Sequence, residues 1–331
     1  MFEDKSILIT GGTGTFGQNF TREILENYKF KKVVIFSRDE MKQWHMAKVF
    51  EKYPQIRFFI GDVRDKDRLY RAFKGIDYVV HAAATKIVPI AEYNPFECVK
   101  TNIIGSMNVI DAAIDCDVEK VIALSTDKAS SPINLYGATK LAADKLFIAG
   151  NAYSEEQKTK FAIARYGNVM GSRGSVIPFF ISQKNENLFT ITDSEMTRFM
   201  ITINQAVKLV IDAFQDMSGG EIYVKKIPSM KVVDIAKVIN PMAKLKFIGM
   251  RPGEKIHEQM IGVEDAPYTY EFKEYFIIFS QINHFNVTEK IMNGKLVPKN
   301  FHYTSSNNKE WMTEKKFSEW LEKNHDKLLE S

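Results

Sequence analysis

Residues 6–17 read SILITGGTGTFG, and the junction inside this stretch decides the fold. Ser6–Thr10 is a short apolar strand. It ends in glycines at 11, 14 and 17, and Thr15–Tyr28 then carries apolar residues at helical spacing. Glycine permits the tight turn and lets backbone approach a bound group closely. The opening turn of a helix adds unpaired N–H groups and a positive dipole end. In this strand–turn–helix setting the fingerprint implies a dinucleotide pyrophosphate held by Gly11, Thr13, Gly14, Thr15, Phe16 and Gly17.

The pattern continues outward from that junction. β-branched and aromatic runs recur at Lys32–Phe36, Arg57–Ile60, Tyr78–Ala83, Val121–Ser125 and Phe161–Tyr166. Helical stretches at Asp67–Phe73, Val99–Ile114 and Tyr136–Ala152 separate them. Such alternation predicts an α/β fold, a Rossmann-type doubly wound parallel sheet with helices on both faces. The second half is less regular. Ile177–Glu186, Ile203–Gln215 and Met230–Val238 read as helices, and Ile222–Val224 as a strand. No internal repeat and no linker-like tract divides the chain. The expected organisation is interleaved: 1–166 and 200–227 bind the dinucleotide, while 167–199 and 228–331 form a smaller α/β substrate-binding domain.

Composition narrows the function classes. The 331 residues are 45% hydrophobic and 26% charged, which excludes a disordered or fibrous chain. No apolar run approaches the roughly 20 residues of a membrane span, and the first apolar run lacks a basic leader. The expectation is a soluble cytoplasmic protein. Basic and acidic residues number 45 and 41 and are spread along the chain, so no nucleic-acid footprint stands out. Cys98 and Cys116 are too few for a disulfide scaffold or a thiolate zinc site, and the scattered His45, His284, His302 and His325 suggest no metal. Any anionic partner should be small and locally held.

The second strand closes on Ser37 and Arg38, where an NAD site commonly has an acid for the ribose 2′-hydroxyl. A hydroxyl and a guanidinium suit a 2′-phosphate, so NADP is expected; the competing reading leaves Arg38 in solvent and gives the ribose to Asp39. Asp62 and Val63 follow the third strand, and Ala82 and Ala83 end the fourth, at the same edge. After the fifth strand come Ser125–Thr126–Asp127–Lys128 and then Tyr136 and Lys140 at i and i+4, on one helix face. An ammonium beside a phenol stabilises the phenolate, and a phenolate near a nicotinamide can take a hydroxyl proton.

On GGTGTFG (11–17), HAAA (81–84), Tyr136-x-x-x-Lys140 and RYGNV (165–169), the chain resembles the extended short-chain dehydrogenase/reductases acting on nucleotide sugars. Asp127 and Lys128 narrow this. An epimerase needs no further acid–base pair, whereas loss of water across C5–C6 needs a base for the C5 proton and an acid for the C6 hydroxyl. IGDVRD (60–65), PIAEYNP (89–95), STDKA (125–129), PINLYGATK (132–140), RYGNVMGSRGSVIPFF (165–180), KIPSMK (226–231) and RPGEKIHE (251–258) extend the likeness along almost the whole chain. They resemble the inverting UDP-N-acetylglucosamine 4,6-dehydratases of pseudaminic acid biosynthesis, a route to surface and flagellin glycans.

That resemblance implies roles. Tyr136 is the C4 base with Lys140 as its partner, and Thr126 holds the sugar hydroxyl. Lys128 removes the C5 proton, Asp127 protonates the departing C6 hydroxyl, and tightly bound NADP is regenerated each turnover. Lys86, Asn168, Arg173, Ser175, Val176, Pro178, Thr192, Arg198, Arg251 and Glu254 meet the UDP-sugar, the arginines on phosphate and Glu254 on ribose. No nucleic acid or membrane partner is implied, but a homo-oligomer, dimer or hexamer, is.

One motif departs from the family. After HAAA the family reads Lys–His–Val–Pro, while this chain has Lys86–Ile87–Val88–Pro89. Ile87 cannot transfer a proton. Either the family His only orients and inversion survives, or the chain releases a UDP-6-deoxy-GlcNAc-5,6-ene. A UDP-sugar epimerase and a non-catalytic NADP sensor are the remaining alternatives.

Overall fold

The computed structural model describes residues 2–154, 158–172, 174–183, 188–282 and 288–329. Seven parallel strands form its centre: β1 (Ser6–Thr10), β2 (Lys32–Ser37), β3 (Ile56–Ile60), β4 (Tyr78–His81), β5 (Lys120–Thr126), β6 (Lys160–Tyr166) and β7 (Ile222–Lys225). Their spatial order is β3-β2-β1-β4-β5-β6-β7, and Tyr275–Ile278, Thr269–Glu271 and Lys295–Leu296 extend the sheet antiparallel to ten strands.

Burial explains why these runs are nearly continuous in apolar residues. Ile7, Ile9, Val33, Ile35, Val80 and Ile122 pack into one core, while Leu8, Val34, Val79, Val121, Phe161 and Ile163 pack into another. Successive side chains of a strand point to opposite faces, so a strand covered on both sides must be apolar throughout. Helix α1 (Thr15–Asn27) covers one face through Phe20, Ile24 and Leu25, joined by α3 (Ile203–Asp216). Thr202 and Gln205 close α3 with a reciprocal capping box. The helix α2 (Leu135–Tyr153) buries Phe147 and Ile148 on the other face.

The irregular half folds around a separate cluster containing Phe180, Phe189, Met230, Ile235 and Phe317. Thr197–Ile201 pairs with Ser229–Lys231 and with Asn168–Val169. Leu188–Ile191 pairs with Lys244–Phe247. The Asn-rich tail has a mechanical role. Asn308 donates to the Ile227 carbonyl at 2.7 Å and to Ser229 Oγ at 3.0 Å. Ser305 exchanges hydrogen bonds with the backbone of Glu258. Among the described residues no helix is long and apolar enough to cross a membrane.

Three elements differ from the periodicity. The single helix expected over Val99–Ile114 is Pro95–Val99, a π-turn at Lys100–Ile104 and Gly105–Asp115. The widened turn accompanies Asn102, whose amide bonds both the N–H and the carbonyl of Thr85. The helix expected from Met230 begins at Val232, because Ser229–Lys231 is claimed by the strand beside it. The helix expected over Ile177–Glu186 is Val176–Ser182, and Glu186 lies outside the described residues.

Phe161 is fully buried, with Phe147 at 6.1 Å between ring centroids. Phe161→Ala should cost about 3–5 kcal/mol through lost burial and the cavity left behind, read as a fall in the denaturant midpoint. A fall under about 1 kcal/mol would mean that this core collapses around the gap.

Candidate active site

The carboxyl ends of the parallel strands open onto a cleft of about 1210 Å³. It lies where the strand order turns back on itself at β1 and β4, the place open α/β sheets bind ligands.

The glycine loop forms one end. Gly11 has φ 63°, and a Cβ there would sit 2.8 Å from the Ala83 nitrogen. A Cβ on Gly17 would strike the Gly12 carbonyl at 2.3 Å, so only glycine lets α1 start this close to β1. Gly14 caps α1 with no side-chain bond to its first N–H groups, leaving that helix end open to an anion. Thr13, Thr15 and Phe16 line the same end, as do Ala82, Ala83 and Val63. This cradle fits a dinucleotide pyrophosphate.

At the end of β2, Ser37 and Arg38 both line the cleft. Asp39 is occupied as the cap of Glu40–Val49: it accepts from the Lys42 N–H at 2.9 Å and pairs with the Lys42 ammonium at 3.0 Å. Asp62 is also engaged, bonded by Arg64 at 2.7 Å and 3.6 Å from Arg38. Lys42, which the sequence reading passed over, adds a second cation to this corner of the cleft.

The central group combines β5, α2 and the chain around residue 258. Lys128 Nζ lies 3.1 Å from Asp127 Oδ1, 3.0 Å from Glu258 Oε1 and 3.5 Å from Asn168 Oδ1. Asp127 is completely buried and Glu258 nearly so, and each has one carboxylate oxygen with no partner. Burial disfavours the Lys128 ammonium, but Asp127 and Glu258 outweigh it and raise its pKa. Burial also raises Asp127; Lys128 opposes that shift and Glu258 reinforces it. Glu258 is itself held low, since Lys128 and Arg198 overcome its burial.

Tyr136 and Lys140 share the buried face of α2, and both line the cleft. Their electrostatics differ from the expectation drawn from spacing. Lys140 Nζ donates to the Leu124 carbonyl at 2.7 Å, and burial lowers its pKa. Burial pushes the Tyr136 phenol up to about 12, and the cation opposing that shift is Lys128, helped by a bond from Thr126. A close approach of β5 and α2 makes this meeting possible: a Cβ on Gly137 would strike the Lys128 carbonyl at 2.3 Å. Asn102 ties the group together by bonding Thr139 on α2 as well as Thr85 before the Lys86 loop.

The cleft also takes in most of the remaining expected residues. Lys86, Asn168, Ser175, Val176, Pro178, Thr192, Arg198, Arg251 and Glu254 all line it. Thr192 donates to Glu254 at 2.8 Å, and Arg251 pairs with the same carboxylate at 2.8 Å. Arg198 Nη1 donates to the carbonyls of Thr197 and Ile256. Ser175 Oγ is buried without a protein partner. Arg173 lies outside the described residues. Ile87 is half-exposed on the cleft wall.

A glycine cradle at the switch point and a Tyr–Lys helix beside it define a Rossmann fold of the short-chain dehydrogenase/reductase kind. The chain belongs to the polysaccharide biosynthesis protein family, whose profile matches residues 7–280. It is 53% identical to a UDP-N-acetylglucosamine 4,6-dehydratase (inverting) of Campylobacter jejuni, over 96% of this chain and 98% of that protein. It is 43% identical to a UDP-glucose 4-epimerase of Rickettsia bellii, covering 93% of each. The X-ray structure of Pen from Bacillus thuringiensis superposes with a TM-score of 0.90 at 39% identity, covering 99% of both chains.

His81 was not among the expected site residues, yet it ends β4 on the cleft floor, bonded to Thr10 Oγ1 at 2.9 Å. Burial lowers its pKa from 6.5 to about 3, with Lys140 adding to the effect. Between those values the unfolded chain takes up a proton that the folded chain refuses, so stability falls as pH drops below 6.5. From about pH 7 to about pH 5, wild type should lose roughly 2 kcal/mol more unfolding free energy than His81→Gln. Equal losses would show that His81 takes up its proton in the folded state.

Proposed function

We propose that this chain is an inverting UDP-N-acetylglucosamine 4,6-dehydratase using NADP. The observation that carries the reading is the Lys128–Asp127 pair, 3.1 Å apart, whose lysine lines the cleft with Tyr136 while Asp127 is fully buried beside it. C4 oxidation alone needs one base, whereas water loss needs a further base and acid. The 53% identity to the Campylobacter jejuni enzyme of that name supports the same substrate.

In this reading Gly11, Thr13, Gly14, Thr15, Phe16 and Gly17 hold the cofactor pyrophosphate, with Asp62, Val63, Ala82 and Ala83 alongside. Ser37 and Arg38 meet the 2′-phosphate, and Lys42 reinforces them. The commitment of Asp39 and Asp62 to other partners supports NADP over NAD. A bound nicotinamide supplies the electron acceptor for C4 oxidation and returns the same electrons at C6, so the net change is loss of water.

The protein groups move protons. Tyr136 takes the proton of the C4 hydroxyl, which Thr126 orients, and Lys140 keeps the helix face cationic. A ketone at C4 acidifies C5–H, and Lys128, once it has passed its own proton across 3.1 Å to Asp127, takes that proton. Asp127 gives one to the C6 hydroxyl, which departs as water. A proton returned to C5 on the opposite face inverts that centre. Lys86, Asn168, Ser175, Val176, Pro178, Thr192, Arg198, Arg251 and Glu254 bind the UDP-sugar, as does Arg173; the unpartnered Ser175 hydroxyl supports a ligand there. Segments 167–199 and 228–331 act as the substrate lobe, and the enzyme works as a cytoplasmic homo-oligomer.

Ile87 favours a second reading. An apolar side chain on the cleft wall offers no proton, which suits release of a 5,6-unsaturated sugar. Incubation with UDP-N-acetylglucosamine in D2O and NMR of the product decides between them. A 4-keto-6-deoxy sugar of inverted configuration with deuterium at C5 is expected. A 5,6-ene would establish the partial reaction, and a C4 epimer that retains its C6 hydroxyl would overturn dehydration altogether.

Cofactor choice has its own test. Arg38→Ala should weaken NADP about tenfold or more and leave NAD binding nearly unchanged, measured by calorimetry. Equal weakening of both would remove Arg38 from 2′-phosphate recognition.

A further inference from the structure

Outside the Tyr–Lys and Asp–Lys pairs, one buried ionised group of the cleft has no role so far. Glu258 is 2% exposed, yet it lines the cleft and reaches Lys128 at 3.0 Å, closer than Asp127 does. The molecule invests in its placement. Ser305 Oγ accepts from the Glu258 N–H at 2.9 Å, and the Ser305 N–H donates to the Glu258 carbonyl at 2.8 Å. Thr197 holds Ser305 in turn, with their hydroxyls 2.6 Å apart. Arg198 Nε stands 3.8 Å from the Glu258 carboxylate.

We propose that Glu258 is a positioning residue for the dehydration step: it is the counter-ion of the ammonium that forms when Lys128 takes the C5 proton, while Asp127 still holds the proton it gives to the leaving hydroxyl. This rests on the dehydratase reading above. With only Asp127 beside it, the Lys128 ammonium would fix Asp127 as its counter-ion, and a fixed carboxylate is no acid. A second carboxylate supplies the counter-charge instead. The same charge raises the proton affinity of Lys128 and of Asp127 alike, so one anion strengthens the base and keeps the acid protonated until it is used. The proton settles on Asp127 rather than on Glu258 because Arg198 and Lys255 both favour the Glu258 anion.

The charged and titratable groups around Asp127 and Glu258 are Lys128, Arg198, Lys255 and Tyr136. They give the test two opposite arms. Removing Glu258 lowers the pKa of Asp127, and removing the Lys255 cation raises it. Lys255 donates to the Ser130 carbonyl at 2.7 Å, so Lys255→Met costs one part-buried hydrogen bond and gives an arm that does not depend on Glu258→Gln folding.

The experiment follows the Asp127 carboxyl by ¹³C NMR titration of aspartate-labelled protein, assigned with Asp127→Asn, alongside the pH profile of UDP-N-acetylglucosamine turnover. In Glu258→Gln the Asp127 titration and the alkaline limb of the profile should move together to lower pH, with turnover at neutral pH down about tenfold or more. In Lys255→Met both should move to higher pH, and Glu258→Asp should return the limb toward its wild-type place. An Asp127 titration that stays put in Lys255→Met and in Glu258→Gln, or a profile that ignores the titration, overturns the proposal. Wild type inactive on UDP-N-acetylglucosamine would instead overturn the dehydratase reading, and the titration would still decide the coupling.

Discussion

A parallel sheet buried on both faces leaves one place for polar chemistry, the carboxyl edge of its strands. The inner parallel strands here carry apolar residues on both faces, so charged residues within them sit at or next to their ends. Thr10, His81, Thr126 and Tyr166 close β1, β4, β5 and β6 at that edge. Everything functional follows from the loops that leave it. The glycine turn begins α1, the Asp127–Lys128 turn leads to α2, and the segment after β6 crosses to the smaller core.

At the centre of that edge the dominant interaction is an ammonium between two buried carboxylates. Buried charge is costly unless it is paired and bonded, and an unpaired member would destabilise the fold by several kcal/mol. The groups come from positions 127, 128, 198 and 258, and Ser305 fixes the last. The segment around Ser305 therefore belongs to the site mechanically, although none of its described side chains lines the cleft. Asn102 does similar work on the other side, joining the Lys86 loop to the helix of Tyr136 through a π-turn.

Local signals in the chain were readable where one segment carries the whole meaning. The spacing of Gly11, Gly14 and Gly17, the i,i+4 pair of Tyr136 and Lys140, and the Asp127–Lys128 dipeptide are all local. Lys42 and Glu258 carried no such signal, since each has its meaning only through partners remote in the chain. Asn102 was hidden because an apolar period continues through the π-turn. The Lys140 ammonium shows the same limit: helical spacing sets which face two side chains share, but its bond goes to the Leu124 carbonyl of the neighbouring strand.

The sequence by itself determined the sheet, its cofactor-type cradle and the residue types of an acid–base centre, because periodicity and glycine placement act over a few residues. Tertiary structure alone decided the protonation balance. Burial raised Tyr136 and Asp127, and a glutamate 131 positions after Asp127 came to share its lysine. Electrostatic energy depends on distance and dielectric rather than on order along the chain, so only the folded protein could set it.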